Sequence, residues 1–512
     1  MVSAAGWIAP ASPSVLRDLR RNLLLVLLSA VLAAGLFPPW EFWPLAFVAL
    51  VPLLLALRRT VTWRASGYLA LLWGVVFQMA ALYWMTTIFG AACLPLFVLL
   101  ALPWVAFGVI YRLLPRRLAL PLLVLAVPVL WVAAEWVRCE GTYMRFSWLQ
   151  MGLSLVPTRG GLFLDSLIGV YGATFLVLLV NGALAALLSG ELSGRRKLAA
   201  MGATTVASGG MLLALSLASP GKDKPSSSVV LVQEDNGDLD DLRRLILRYA
   251  DEHPALIVCP ELALHDYLLE PPALCRQLAD LARATGSTLI VGAKEAAPDD
   301  APCDSLRRRA MLSLEGRLYY NAAFLISPQG ELLGVYHKHY PIQFFSDGVP
   351  GRGYPTFPTP AGRLGVAICY DFDYATTARQ LVRHGAQLLV VPTYDDRAWT
   401  GLQALQHARV VQARAAEAGR WVLRPTSSGL TEVIAPTGEV TGSLSSGEPG
   451  ALLTRVALRE DLTPYVRAGW LLPYLCLALA AGMVVALGAG RVVRRRSPLS
   501  PAPQGRGERG RG

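Results

Sequence analysis

Charge is scarce in this chain. Of 512 residues only 16% are Asp, Glu, Lys or Arg, 54% of side chains are hydrophobic, and the mean hydropathy is +0.43. That balance excludes an ordinary soluble enzyme. The seven cysteines are scattered without metal-ligand spacing, and no solenoid-type repeat is present. A net charge of +11 raises nucleic acid as a partner, but the basic residues argue against it. They come in small clusters beside apolar runs: Arg17, Arg20 and Arg21; Arg58, Arg59 and Arg64; Arg112, Arg116 and Arg117; Arg195, Arg196 and Lys197; Arg491, Arg494, Arg495 and Arg496. Such placement orients helices in a bilayer.

Apolar runs at 22–36, 43–57, 67–88, 92–113, 118–137, 163–189, 197–219 and 467–490 approach the roughly 20 residues that cross a membrane. The first two are short and can tilt, merge or re-enter. Basic clusters in alternate connections put the N-terminus in the cytoplasm and the long insert after the seventh run on the outer face. The expectation is a membrane part over 1–219 with about seven helices and an inserted extracytoplasmic domain over 220–466. An eighth helix over 467–490 then leads to a basic, disordered cytoplasmic tail over 491–512. The connection 138–162 fits this scheme least, because Arg138, Arg145 and Arg159 fall outside. Residues 22–36 are read as a helix and not a signal peptide, since Phe37-Pro38-Pro39-Trp40 leads into another span. Cys93, Cys139 and Cys476 lie in or beside spans as inert thiols; whether Cys259, Cys275 and Cys303 pair in an oxidising compartment stays open.

From Val229 the texture changes to short apolar runs alternating with amphipathic stretches, which predicts an α/β domain. Leu239 to Tyr249, Pro272 to Thr285 and Ala404 to Ala418 read as helices. The turns at 326–331 and 435–439 read as hairpins. Three apolar runs end on reactive side chains: 255–260 on Glu261, 332–337 on Lys338, and 364–368 on Cys369. Open α/β sheets place their sites at such strand ends. A thiol can attack an ester carbonyl and hold the acyl group as a thioester. A carboxylate in a partly apolar pocket can shuttle the proton, and an ammonium with backbone N–H groups beside Cys369 can stabilise the oxyanion. His337 and His339 flank Lys338 but point away from it on a strand, and no third ligand is apparent, so neither metal nor cofactor is expected.

Pro260-Glu261, Tyr336-His337-Lys338 and Ala367-Ile368-Cys369-Tyr370-Asp371 resemble the Glu, Lys and Cys motifs of the nitrilase (carbon–nitrogen hydrolase) superfamily. Tyr320-Asn321 and Pro436-Thr437-Gly438-Glu439 fit the same pattern. Such a domain between a seventh and an eighth membrane helix resembles the apolipoprotein N-acyltransferase family. Trp43-Pro44-Leu45-Ala46, Val51-Pro52, Trp148-Leu149-Gln150-Met151-Gly152, Gly169-Val170-Tyr171-Gly172, Val180-Asn181-Gly182 and Gln406-His407 agree with it. The resemblance implies an αββα sandwich inserted in a multi-span protein of the bacterial inner membrane. It also implies transfer of an acyl chain from a phospholipid to a diacylated apolipoprotein; nothing in the sequence demands more than a monomer, and the basic clusters leave no nucleic acid expected. Glu261, Lys338 and Cys369 would be the catalytic triad.

Supporting residues are expected around the triad. Counting back from Val349-Pro350 places Asp347 where the family has a Glu, and Asp371 replaces the Glu after Cys-Tyr370. Phe344 and Phe345 belong to a candidate lid over 341–350, dipping into lipid, lining an acyl pocket or simply packing. Trp399 is read as touching substrate or packing. Departures are Pro425-Thr426-Ser427-Ser428-Gly429 and the absence of a tryptophan after the first strand of the domain. The rival readings are a membrane-tethered amidase or nitrilase and an inactive scaffold.

Overall fold

A computed structural model describes residues 13–115, 118–189, 194–195, 202, 210, 227–270, 272–343 and 345–496. Apart from residues 202 and 210, the expected seventh span at 197–219 lies outside them, as do Phe344 and residues 497–512 of the expected tail.

The membrane part is a helical bundle of α1 (Pro13–Ala34), α2 (Val51–Arg59), α3 (Trp63–Ala81), α4 (Met85–Phe89), α5 (Cys93–Leu113), α6 (Leu120–Trp136) and α7 (Arg159–Leu188). Among the described residues, four helical stretches are long and apolar enough to cross a membrane: Met85–Leu113, Leu120–Gly141, Arg159–Leu188 and Gly469–Ala489. The run at 43–57 forms no full span. A 3-10 turn over Trp43–Phe47 is followed by α2, whose nine residues rise only about 14 Å against a hydrocarbon core of about 30 Å. Proline in the first turn of each piece starts a new helix instead of extending one. Broken backbone among apolar helices needs partners. Asn181 of α7 supplies them: its Nδ2 donates to the Ala46 carbonyl at 2.7 Å and its Oδ1 accepts from Leu50 N–H at 2.9 Å. The core of the bundle is aromatic, with Trp131 4.4 Å from Trp104 and 5.3 Å from Trp73, centroid to centroid.

Among the described residues, the second part contains twelve strands in two sheets. One has the order β12 (Gly450–Val456), β1 (Ser227–Gln233), β2 (Leu256–Val258), β3 (Thr288–Ala296), β4 (Tyr319–Ile326) and β5 (Leu332–His337). The other runs β11 (Val440–Leu444), β10 (Thr431–Ile434), β9 (Val422–Arg424), β8 (Leu388–Val390), β7 (Gly362–Val366) and β6 (Thr356–Thr359). Period-2 alternation sorts the apolar residues. Leu231, Val258, Ile290, Val366, Val390 and Leu423 meet between the sheets. Val230, Ile257 and Leu289 face the helices Leu239–Leu247 and Pro272–Thr285 on one outer side. Leu389 and Val422 face Ala375–Arg383 and Gly401–Ala418 on the other. The result is the four-layer αββα sandwich.

Gly401–Ala418 belongs to both parts. Val411, Ala415 and Ala418 pack under the second sheet, while Val410, Ala413 and Ala416 enter the apolar core of the membrane bundle. The connection 138–162 is likewise a joint. Arg138 donates to the Trp148 carbonyl at 2.7 Å and lies over the Trp104 ring. The Arg145 carbonyl accepts from the hydroxyls of Tyr370 and Tyr374, and Arg159 pairs with Glu439 at 2.6 Å. Arg138 thus holds the connection to the bundle, while the Arg145 main chain and the Arg159 side chain tie it to the α/β part.

Candidate active site

Three chain segments bring the reactive side chains to one buried place. β2 ends into Cys259-Pro260-Glu261, β5 ends into Lys338, and β7 runs through Ala367 and Ile368 to Cys369. Lys338 Nζ lies 2.6 Å from Glu261 Oε1 and 2.8 Å from Asp347 Oδ2, with Lys338 1% exposed. Glu261 Oε2 accepts from Tyr394 N–H at 2.8 Å, and Cys369 Sγ lies 3.9 Å from the carbonyl of the same Tyr394. One residue thus touches both the carboxylate and the thiol.

Cys369 adopts φ 49°, in the left-handed region where a side chain costs on the order of 1–3 kcal/mol. The conformation is locked by Cys369 N–H donating to the Pro392 carbonyl at 2.9 Å. The Cys369 N–H is therefore already engaged in holding the turn.

Asp371 does not face the thiol. Its Oδ2 accepts from Tyr336 hydroxyl at 2.8 Å and Ile368 N–H at 3.0 Å, and its Oδ1 from Tyr340 N–H at 2.6 Å. It joins the chain after Lys338 to the turn that carries Cys369. Burial pushes its carboxyl up to about 6 despite Lys338 and these donors.

The electrostatics follow from burial opposed by partners. Burial raises Glu261, Lys338 lowers it, Asp347 raises it again, and the net direction is up, which suits a proton carrier. Burial works against the Lys338 ammonium, but Asp347 and Glu261 outweigh it and hold the charge firmly. Burial and the Glu261 charge push the Cys369 thiol up, so it rests protonated and needs a base at the moment of attack.

Asn321 was absent from the expected set of site residues. Its Nδ2 donates to Glu261 Oε1 and Asp347 Oδ1, both at 2.7 Å, tying the two carboxylates. An asparagine inside the apolar run of β4 was the available signal. Asp347 also accepts from Ile342 N–H at 2.7 Å, so it folds the 341–350 segment back over Lys338. Arg307 donates to the Pro341 and Gly348 carbonyls at the two ends of that segment. Asp347→Asn is expected to slow the first chemical step by on the order of 10- to 100-fold, because the ion pair with Lys338 is lost and the amide nitrogen must face a donor where an oxygen accepted. Single-turnover kinetics check this, and a change under twofold would count against the ion pair.

Against Tyr370, the residue after Cys369, lies an apolar pocket of about 100 Å³, open on one side and lined by Tyr370, Phe345 and Trp399 from the α/β part and by Trp84, Met85 and Phe89 from the bundle. Phe345 sits 5.8 Å from Phe89 and 6.1 Å from Trp399, so a ring from the candidate lid packs between the two parts. His337 pairs with Glu295 at 2.6 Å and His339 stacks on Tyr354, both turned from Lys338. All seven cysteines are free thiols.

The carbon-nitrogen hydrolase family model matches residues 229–461, and that of the apolipoprotein N-acyltransferase N-terminal domain matches 29–183. Similar curated proteins include the apolipoprotein N-acyltransferase of Azotobacter vinelandii, 30% identical over 93% of this chain and 96% of that protein. That of Geobacter metallireducens is 27% identical over 92% and 96%. Among solved structures, an amidase from Nesterenkonia sp. is 21% identical, covers 49% of this chain and 96% of its own, and has a TM-score of 0.38.

Proposed function

The chain belongs to the apolipoprotein N-acyltransferase family, and on that premise we propose that it moves a fatty acyl chain from a membrane phospholipid to the N-terminal amine of a diacylated apolipoprotein through a thioester on Cys369. The observation that carries this reading is the buried meeting of Glu261, Lys338 and Cys369 beside an apolar pocket built jointly by bundle and sandwich. An acyl chain entering from the bilayer would find apolar walls next to the turn that carries the sulfur.

In the first half-reaction, Glu261 takes the thiol proton as sulfur bonds to the ester carbonyl carbon. The oxyanion develops against Lys338 Nζ. Collapse breaks the ester C–O bond, the proton passes to the departing alkoxide, and a lysophospholipid leaves. In the second, a neutral amine attacks the thioester and gives its proton to Glu261. The C–S bond then breaks, and the sulfur takes the proton back. Burial of the site disfavours water as the competing nucleophile. We place residues 220–466 on the outer face of the inner membrane and the termini in the cytoplasm, in keeping with the basic clusters.

The test is purified full-length protein with phosphatidylethanolamine and a synthetic diacylated lipopeptide, followed by mass spectrometry. An N-acylated lipopeptide with stoichiometric lysophospholipid is expected. Free fatty acid alone, or ammonia from a small amide without N-acylation, would establish a hydrolase instead.

A further inference from the structure

Behind the reacting groups is a buried ion cluster that none of these steps uses. His407, on the Gly401–Ala418 helix, is 2% exposed and lies between two carboxylates. Its Nδ1 is 3.2 Å from Asp395 Oδ1 and 3.1 Å from Arg424 Nη2, and its Nε2 is 3.3 Å from Asp373 Oδ1. Two carboxylates, one beside each nitrogen, favour the imidazolium against the neighbouring guanidinium, which Asp395 also pairs.

Each carboxylate ends a segment that begins at the chemistry. Asp373 closes the turn Cys369–Asp373 that starts with the nucleophile. Asp395 follows Tyr394, which touches both Glu261 and Cys369. Asp395 is fixed further by Arg424 at 2.8 Å and Gln403 at 3.1 Å, and its carbonyl accepts from Ser427 and Ser428 hydroxyls. From the membrane side, the Trp148 indole N–H donates to Asp373 Oδ2 at 2.6 Å and its ring stacks on His407 at 5.6 Å.

We propose that His407 is a positioning residue which, as an imidazolium, clamps the Cys369 turn to the Tyr394 loop and, through Trp148, makes that alignment depend on docking of the membrane part. The proposal rests on Cys369 being the nucleophile. Burial opposes the ring's charge and so does Arg424, but the Asp373 charge and the contact with Asp395 prevail and raise it to about 9. Burial pushes Asp395 up, yet Arg424 and His407 bring it to about 2. The other charged groups around the cluster are Arg414, whose Nε donates to the Asp373 carbonyl, and Glu432 near Arg424. Because the folded ring titrates above its ordinary value, the clamp is complete at neutral pH and is lost as pH rises through about 9.

The experiment measures the rate of acyl-adduct formation on full-length protein in phosphatidylethanolamine micelles from about pH 6 to about pH 10, with its dependence on lipid concentration. In the unsubstituted protein the rate should break downward near pH 9. His407→Gln should be slower by on the order of 10- to 100-fold at neutral pH, with unchanged half-saturation and no such break. A normal rate, a retained break, or a raised half-saturation with unchanged maximal rate overturns the proposal. Should His407→Gln not fold, Trp148→Phe keeps the stacked ring and removes the donor to Asp373. It should slow acylation several-fold and move the alkaline break, and identity with the unsubstituted protein in both respects overturns the proposal. Cys369→Ala runs alongside: an inactive control beside an unaffected His407→Gln sinks the positioning role alone, whereas an active control sinks the nucleophile assignment and this role with it.

Discussion

Cys369→Ala will take up no acyl chain: intact-protein mass spectrometry after exposure to phospholipid should show the unmodified mass, where the unsubstituted protein gains one acyl group. The expected loss is complete because the chemistry needs a covalent carrier and no second thiol can stand in. Cys259, two residues before Glu261, is fully buried and packs toward the outer helices of the first sheet, away from Tyr394. The variant should still fold, because alanine bears the left-handed backbone at 369 no worse than cysteine and the bond to Pro392 is a main-chain one. Equal thermal unfolding of the two proteins would separate lost chemistry from lost structure. An acyl adduct on the alanine variant would remove Cys369 from the mechanism.

Lys338→Met should cost on the order of 10²–10⁴ in acylation rate, toward the upper end. Two losses combine. The ammonium facing the oxyanion disappears, and Glu261 and Asp347 are left sharing Asn321 with no cation between them. Two buried carboxylates in that position cannot both stay ionised, so the proton affinity of Glu261 rises further and it enters the reaction already protonated. The residual rate of Lys338→Met should therefore climb as pH is raised, because deprotonation restores the base. Glu261→Gln has no carboxylate to restore and should stay flat up to the alkaline break set by His407. Parallel pH–rate curves for the two variants would contradict this arrangement.

The strand ends were legible because buried strands are short apolar runs and their last residues must leave the core. Glu261, Lys338 and Cys369 stand out there as polar groups with no helical face to occupy. Counting back from Val349-Pro350 reached Asp347, whose carboxylate lies 2.8 Å from Lys338. What escaped was pairwise and long-range. No local pattern couples β1 to β12, more than 200 positions apart, or tells a helix buried on two sides from one buried on one. Asn181 and the 43–57 run were both visible, yet only packing shows that the amide caps the broken backbone and that a run free to tilt, merge or re-enter is a 3-10 turn followed by a short helix. Asp371 looked like a neighbour of the nucleophile in sequence and turned out to be a clamp, because the turn after Cys369 swings it toward Tyr336 and Tyr340.

The kink in α7 bears on how this protein can be handled. Gly169, at φ 71°, interrupts the helix, and a β-carbon there would meet the Tyr465 ring at 2.4 Å. The freed N–H of Val170 donates to Glu417 of the Gly401–Ala418 helix at 2.9 Å. The bundle helix thus takes its missing acceptor from a helix of the other part. Trimming the chain to residues 227–466 would lay Val410, Ala413 and Ala416 bare to water, so a soluble version calls for rebuilding the Gly401–Ala418 surface, and excision alone will not produce one.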